Sequence, residues 1–157
     1  MTDNEFSRCI KLYRKNVTEA ALCVVRNPAD AEDIAQEVFL KLFLYTKDFN
    51  SDEHIKAWLI RCAINLAIDL KRSYWHRNYT PLSSLGEQTD SGSPSPSVMP
   101  EIMLLDEKLR ITMYLHYCAG YTIKETAAIL KVSTAAVRYR LDSGRKKLKN
   151  ELPDERI

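Results

Sequence analysis

Between Thr134 and Lys149 the chain places side chains with one shared kind of chemistry at helical spacing. Ala135, Arg138, Tyr139, Asp142 and Lys146 recur at steps of three or four, flanked by Arg145 and Lys149. Guanidinium and ammonium groups hold phosphates, and an arginine can also pair with a guanine edge. A small Ala135 leaves room for close approach, and Asp142 can accept a hydrogen bond from a cytosine amine. Val137, Leu141, Gly144 and Leu148 occupy the other stripe of the same helix and predict an inward face. The outward face therefore suits the major groove of duplex DNA, with Thr134 at the start of the helix.

Such a helix needs an element to hold it. Thr122 and Glu125 have the spacing of a capping box, which predicts a short helix starting just after Thr122. Ala127 is small enough for a second helix to cross closely. Lys131-Val132-Ser133 makes the turn, with Ser133 capping the next helix. Gly120–Leu148 thus reads as a helix-turn-helix. A basic helix is also what a solvated face looks like, but two caps and a small residue at the crossing fall in register here. The turn calls for a left-handed residue at Lys131, which costs a non-glycine residue roughly 1–2 kcal/mol.

The other half reads as three helices. Phe6, Cys9, Ile10, Tyr13, Val17, Ala20, Ala21 and Val24 give the first its apolar stripe, and Asn27-Pro28 breaks it. The second is expected to be capped by Asp30 and to run inward through Ile34, Val38, Leu42 and Tyr45. After a polar loop from Lys47 to His54, the third is predicted from about Ile55 to about Trp75. Ile55, Trp58, Leu59, Cys62, Leu66 and Leu70 are its expected core face, and Arg61, Asn65, Asp69 and Arg72 its polar face. Its end, KRSYWHRNY, interleaves cations with Tyr74, Trp75, His76 and Tyr79. Base plus aromatics is the composition of single-stranded nucleic-acid platforms, and equally of a helix end whose rings close a core.

Charge is unevenly spread over the 157 residues, although the total is only +2. Residues 1–50 carry −1, residues 51–79 +2, residues 80–106 −4 and residues 107–157 +5. So mild a total argues against a protein that coats nucleic acid by charge alone. Residues 80–100 hold four of the six prolines and two of the four glycines, which predicts a flexible linker. The expected organisation is all-α, with one helical domain at 1–79, the linker at 80–100 and a second domain at 101–157. No apolar run has transmembrane length, so a soluble, cytoplasmic protein without membrane insertion is expected. Cys9, Cys23, Cys62 and Cys118 are scattered, without zinc-site spacing, and are expected to be buried thiols.

These pieces resemble the sigma-70 superfamily of bacterial RNA polymerase initiation factors, and most of all its smallest, extracytoplasmic-function members. DAEDIAQEVFLKLF (30–43), AWLIRCAINLAIDLKR (57–72) and the helix-turn-helix carry the resemblance. It implies two small helical domains, a region 2-like one and a region 4-like one. It implies docking on the β′ clamp helices of core polymerase through Asp30, Asp33, Gln36, Glu37 and Phe39, and a contact to the β flap. Residues 48–54, with Asp52 and His54, correspond to a loop that captures a flipped minus-10 base. Asn65 lies near that pocket, and Arg61, Arg72 and Trp75 suit the separated strand. Thr134, Ala135, Arg138, Tyr139, Asp142, Arg145 and Lys146 fall on the minus-35 reader. An anti-sigma factor is a further partner the resemblance implies, without a visible binding motif. The chain departs from the family at Asp142-Ser143-Gly144, where many members have a neutral or aromatic residue followed by Arg-Ala, so an unusual or weak minus-35 preference is expected. Gly144 should weaken its helix by roughly 1 kcal/mol against alanine.

Two other readings stand beside this one. A conventional helix-turn-helix regulator with a sensing domain would bind duplex DNA without polymerase. An enzyme would need more than His54, His76 and His116, which are far apart and lack a nucleophile, carboxylate pair or phosphate loop. The expectation is a non-enzyme with no cofactor, no metal and no small-molecule substrate.

Overall fold

The computed structural model describes the backbone of residues 1–78 and 99–151, and the side chains of residues 1–73 and 101–149. The described residues form helices and connections, with no strand among them. The chain divides into two compact units, Met1–Ser91 and Gly92–Ile157. The expected linker at 80–100 falls almost wholly outside the described residues.

In the first unit, α1 (Asp3–Val25) opens on a capping box. Glu5 Oε2 accepts from the Thr2 N–H at 2.9 Å, and Thr2 Oγ1 accepts from the Glu5 N–H at 3.2 Å. Arg26 ends the helix in the left-handed region, at φ 57°. The next helix, α2 (Pro28–Leu44), starts two residues later. Its cap is Asn27, not the expected Asp30: Asn27 Oδ1 accepts from the N–H groups of Ala29 and Asp30 at 2.9 and 3.2 Å. Pro28 explains the difference. It needs no N–H partner and its φ is already helical, so the helix begins directly at the proline. Asp30 then lies inside the first turn.

The third helix, α3 (Asp52–Asn78), begins three residues earlier than expected. Ser51 starts it, with Oγ accepting from the His54 N–H at 3.2 Å and its carbonyl from the Ile55 N–H at 3.2 Å. Asp52, Glu53 and His54 are therefore first-turn residues rather than loop. The inward face of α3 also differs: Ile55, Leu59, Ile60, Ala63, Ile64 and Ala67 are buried, whereas Trp58, Cys62, Leu66 and Leu70 are only half-buried. Because α3 packs against both α1 and α2, its buried arc is wider than one stripe. Ala20, Ala21, Ala31, Ala35, Ala63 and Ala67 are all buried in this core. Tyr45, expected inside α2, is instead its half-buried C-terminal cap.

In the second unit, a short α4 (Met99–Ile102) leads to α5 (Glu107–Met113), capped by Asp106. The Arg110 guanidinium is buried and donates to the Leu105 carbonyl at 2.8 Å, which holds the α4–α5 corner. α5 runs on into a π-helical turn, Tyr114–Cys118, in which the Ala119 N–H reaches back to the Tyr114 carbonyl at 2.9 Å. Then come α6 (Ile123–Leu130) and α7 (Thr134–Glu151). Ile102, Leu105, Leu109, Met113, Ala127, Val137, Leu141 and Leu148 form one core.

Cys9 and Cys23 are buried as expected, Cys62 and Cys118 only half so, and none forms a disulfide. Burial pushes the Cys9 and Cys62 thiols up from their ordinary pKa.

Candidate functional site

Three surfaces carry the chemistry. The first lies on α2. Asp33, Gln36, Glu37 and Leu40 are exposed at i, i+3, i+4 and i+7, so they share one face. Asp30 sits one turn back and is half-buried; desolvation, then the neighbouring Asp33, raises its pKa. Phe39 does not join this face. It is 7% exposed and helps line an open groove of about 430 Å³ between α1 and α2. Phe6, Ile10, Ala35, Leu40 and Phe43 line the same groove, and Arg14 and Glu32 pair across it at 3.1 Å. The apolar side chains α2 offers outward are Leu40, Phe43 and Leu44, at 57%, 59% and 66% exposure. The helical period accounts for its burial: Phe39 lies four residues after Ala35 and one after Val38, on the buried arc.

The second surface starts where α2 hands over to α3. Tyr45 stacks on Phe49 with centroids 4.9 Å apart, and Trp58 leans against both, at 4.9 Å from Tyr45 and 5.7 Å from Phe49. The His54 ring meets Phe49 edge-on at 5.2 Å, and its Nδ1 accepts from the Asn50 N–H at 3.1 Å. That bond makes Nδ1 the acceptor nitrogen and fixes how the ring sits. Asp52 is held by Arg8 through two bonds, at 3.0 and 3.2 Å, and its carbonyl accepts from the Tyr13 hydroxyl at 3.4 Å. The Arg8 hydrogen bond holds the Asp52 carboxyl below the usual range. The pair is solvent-exposed, so its weight lies in pinning the start of α3 to α1 rather than in stability.

His54, Trp58, Arg61 and Asn65 follow at steps of four, three and four, so aromatic rings and exposed polar groups form one stripe along α3. Arg61, Asn65, Asp69 and Arg72 are all exposed, as expected of the polar face. Trp75 lies on the α3 backbone, but its side chain is outside the described residues, as are those of Tyr74 and His76. The Tyr45–Phe49–Trp58 cluster was missed because Tyr45 and Trp58 fit apolar helical periods. Three aromatics bracketing a short polar loop were the available signal.

The third surface is the helix-turn-helix. Thr122 and Glu125 make both bonds of the capping box, at 3.1 and 2.9 Å. Lys131 is left-handed at φ 58°, and Ser133 Oγ accepts from the Ala136 N–H at 3.1 Å. Thr134, Ala135, Arg138, Asp142 and Lys146 are exposed, as is Tyr139 at 73%. Val137, Leu141, Gly144 and Leu148 are buried. Arg145 is only half-exposed: Nη1 donates to the Tyr117 hydroxyl at 2.8 Å and Nη2 to Asp142 Oδ1 at 3.3 Å. Gly144 has a packing reason as well as a helical cost. A Cβ there would stand 2.8 Å from Met113 Sδ and 2.9 Å from its Cγ.

No helix among the described residues is long and apolar enough to cross a membrane. Residues 9–77 match the sigma-70 region 2 family and residues 101–148 the sigma-70 region 4 family. A probable RNA polymerase sigma factor of Xanthomonas campestris, RfaY, is 32% identical over 94% of this chain, which spans 40% of that protein. The extracytoplasmic-function (ECF) RNA polymerase sigma factor SigW of Bacillus subtilis is 25% identical over 95% of this chain and 89% of its own length. Among solved structures, the sigma factor RpoE of Bartonella quintana, determined with the anti-sigma factor NepR, superposes with a TM-score of 0.69 at 18% identity, covering 93% of this chain and 95% of that one. CnrH, determined with the cytosolic domain of CnrY, gives 0.67 at 24% identity, over 95% and 88% of the two chains. These likenesses show the same fold. With each helical unit matched to its own sigma-70 region, in the order those regions take along the chain, this protein belongs to the sigma-70 family, in its ECF group of RNA polymerase sigma factors.

Proposed function

We propose that the chain is a non-catalytic transcription initiation factor of the bacterial cytoplasm. It binds core RNA polymerase, recognises minus-10 and minus-35 promoter elements and promotes promoter melting. The region 2-like domain is assigned to residues 1–79, the linker to 80–100 and the region 4-like domain to 101–157. The α2 face with Asp33, Gln36, Glu37 and Leu40 docks on the β′ clamp helices, with Asp30 behind it and Phe39 acting only through the groove. The second unit meets the β flap, and an anti-sigma factor covers these surfaces when the protein is held inactive.

The observation that carries this reading is the α3 stripe. A duplex reader needs donors and acceptors on a helix that enters a groove, which α7 supplies. It has no need for aromatic rings beside an exposed Arg61 and Asn65. An unpaired base has two open faces and an open edge, and is readable only once it leaves the stack. Tyr45, Phe49 and Trp58 supply flat surfaces, Asn65 supplies one donor and one acceptor function, and Arg61 and Arg72 hold the backbone of the separated strand. Capture of flipped bases favours the open form of the duplex, so melting follows from binding. The test is run-off transcription from genomic fragments by core polymerase, with and without the full chain. Promoter-specific transcripts only in its presence are expected. Tight binding to the same duplexes without polymerase, and no new transcripts with it, would favour the regulator reading instead.

A further inference from the structure

Between Thr134 and Lys149, Asp142 is the one acidic residue on a helix otherwise rich in cations. It stands one turn beyond Arg138 on the exposed face, with its side chain 63% exposed. An isolated carboxylate there would repel phosphates. Asp142 is not isolated. Its Oδ1 is held by Arg145, and Arg145 is held in turn by the hydroxyl of Tyr117. Tyr117 comes from the π-helical turn that ends α5, so a second element braces the arrangement from outside α7. The paired charges cancel locally, and the second carboxylate oxygen, Oδ2, remains an acceptor for an incoming group.

An acceptor of this kind discriminates between base edges. Guanine offers N7 and O6 and thymine offers O4 in the major groove; all are acceptors and repel a carboxylate. Cytosine offers its N4 amine. Adenine offers an N6 amine beside the acceptor N7, which opposes a carboxylate approaching from that side. We propose that Asp142, oriented by Arg145 and Tyr117, reads the N4 amine of a cytosine in the duplex bound by α7. Tyr117 and Arg145 are positioning residues for that contact. This rests on α7 being the minus-35 reader and gives its exposed face a carboxylate acceptor, the one acidic side chain between Thr134 and Lys149.

The test uses the full chain with core polymerase on a promoter pool randomised through the minus-35 element. Wild type should prefer cytosine, on one strand, at one position, by roughly fivefold or more. Asp142→Ala should erase that preference and keep those at the other positions. Tyr117→Phe, which keeps the ring and removes the hydroxyl, should lower the same preference, and circular dichroism should show the fold intact. Asp142→Ala raising the use of all promoters alike would mean the carboxylate merely repels phosphates, and overturns the proposal. Selection of adenine overturns the cytosine assignment, and a full cytosine preference in Tyr117→Phe overturns the positioning role. If wild type ignores the minus-35 sequence at every position, and Arg138→Ala changes nothing, the reading of α7 itself falls and this inference with it.

Discussion

Gly144 shows how one residue answers to two demands. A glycine within a helix costs roughly 1 kcal/mol against alanine, yet the buried Met113 side chain fills the space a Cβ would take. Gly144→Ala should therefore destabilise the second unit, because the helical gain is outweighed by an overpacking cost of about 1–3 kcal/mol. In a Met113→Ala background the same change should stabilise by about 1 kcal/mol. Denaturant midpoints of the four proteins in that cycle check the sign reversal. Glu19 makes a different case. It is half-buried on α1, and desolvation raises its pKa, with Lys15 offsetting part of the effect. The folded state thus binds the Glu19 proton more tightly than the unfolded one. Its contribution is most favourable below the ordinary carboxylate pKa and is lost as pH rises through the raised value. Glu19→Gln should accordingly stabilise the first unit at pH 7, with the gain disappearing in acid below pH ~4. Thermal melts at the two pH values decide it.

Elements were legible where a period and a cap agreed, and less so where another residue competed. The helix-turn-helix could be read nearly whole because Thr122, Glu125, Lys131 and Ser133 are local devices whose bonds lie within four residues. The start of α2 was misplaced because Asp30 and Asn27 are both good caps, and the proline between them decides the matter through backbone geometry. The core face of α3 was only partly read: one helical stripe describes packing against one neighbour, and α3 has two. Gly144 was read as a weakness because the contact that requires it comes from Met113, far away in sequence. On α2, the exposed acids stand on the same face as Leu40. Reversing both Asp33 and Glu37 to lysine should weaken binding to core polymerase at least tenfold while leaving helicity unchanged, since neither is buried. A titration with labelled protein measures this, and unchanged affinity would remove α2 as the docking face.

At the scale of the molecule, the two surfaces proposed to meet DNA belong to two separate units. They should fail separately. Asn65→Ala should lower open-complex formation and blunt discrimination at one minus-10 position. Arg138→Ala should weaken initial recruitment, by about 1–3 kcal/mol for a bidentate base contact. On a template without a minus-35 element, Arg138→Ala should add little further loss, whereas Asn65→Ala should still impair opening. Permanganate footprinting reads the opening and filter binding the recruitment; identical behaviour of the two variants on both templates would refute the division of labour.

The joint between α1 and α2 has a consequence in time. Only Arg26 and Asn27 separate the two helices, so bringing them together closes very little chain. Helical bundles with such short connections fold in microseconds to milliseconds. Synthesis adds about 5–20 residues each second, so the stretch from the end of α3 to Ile157 takes about 4–16 s to make. The first unit, which has its own core, can close long before the last turn of α7 is translated. The α2 face is then finished while α7 is still unmade, and a protein that meets the nascent chain meets that face first.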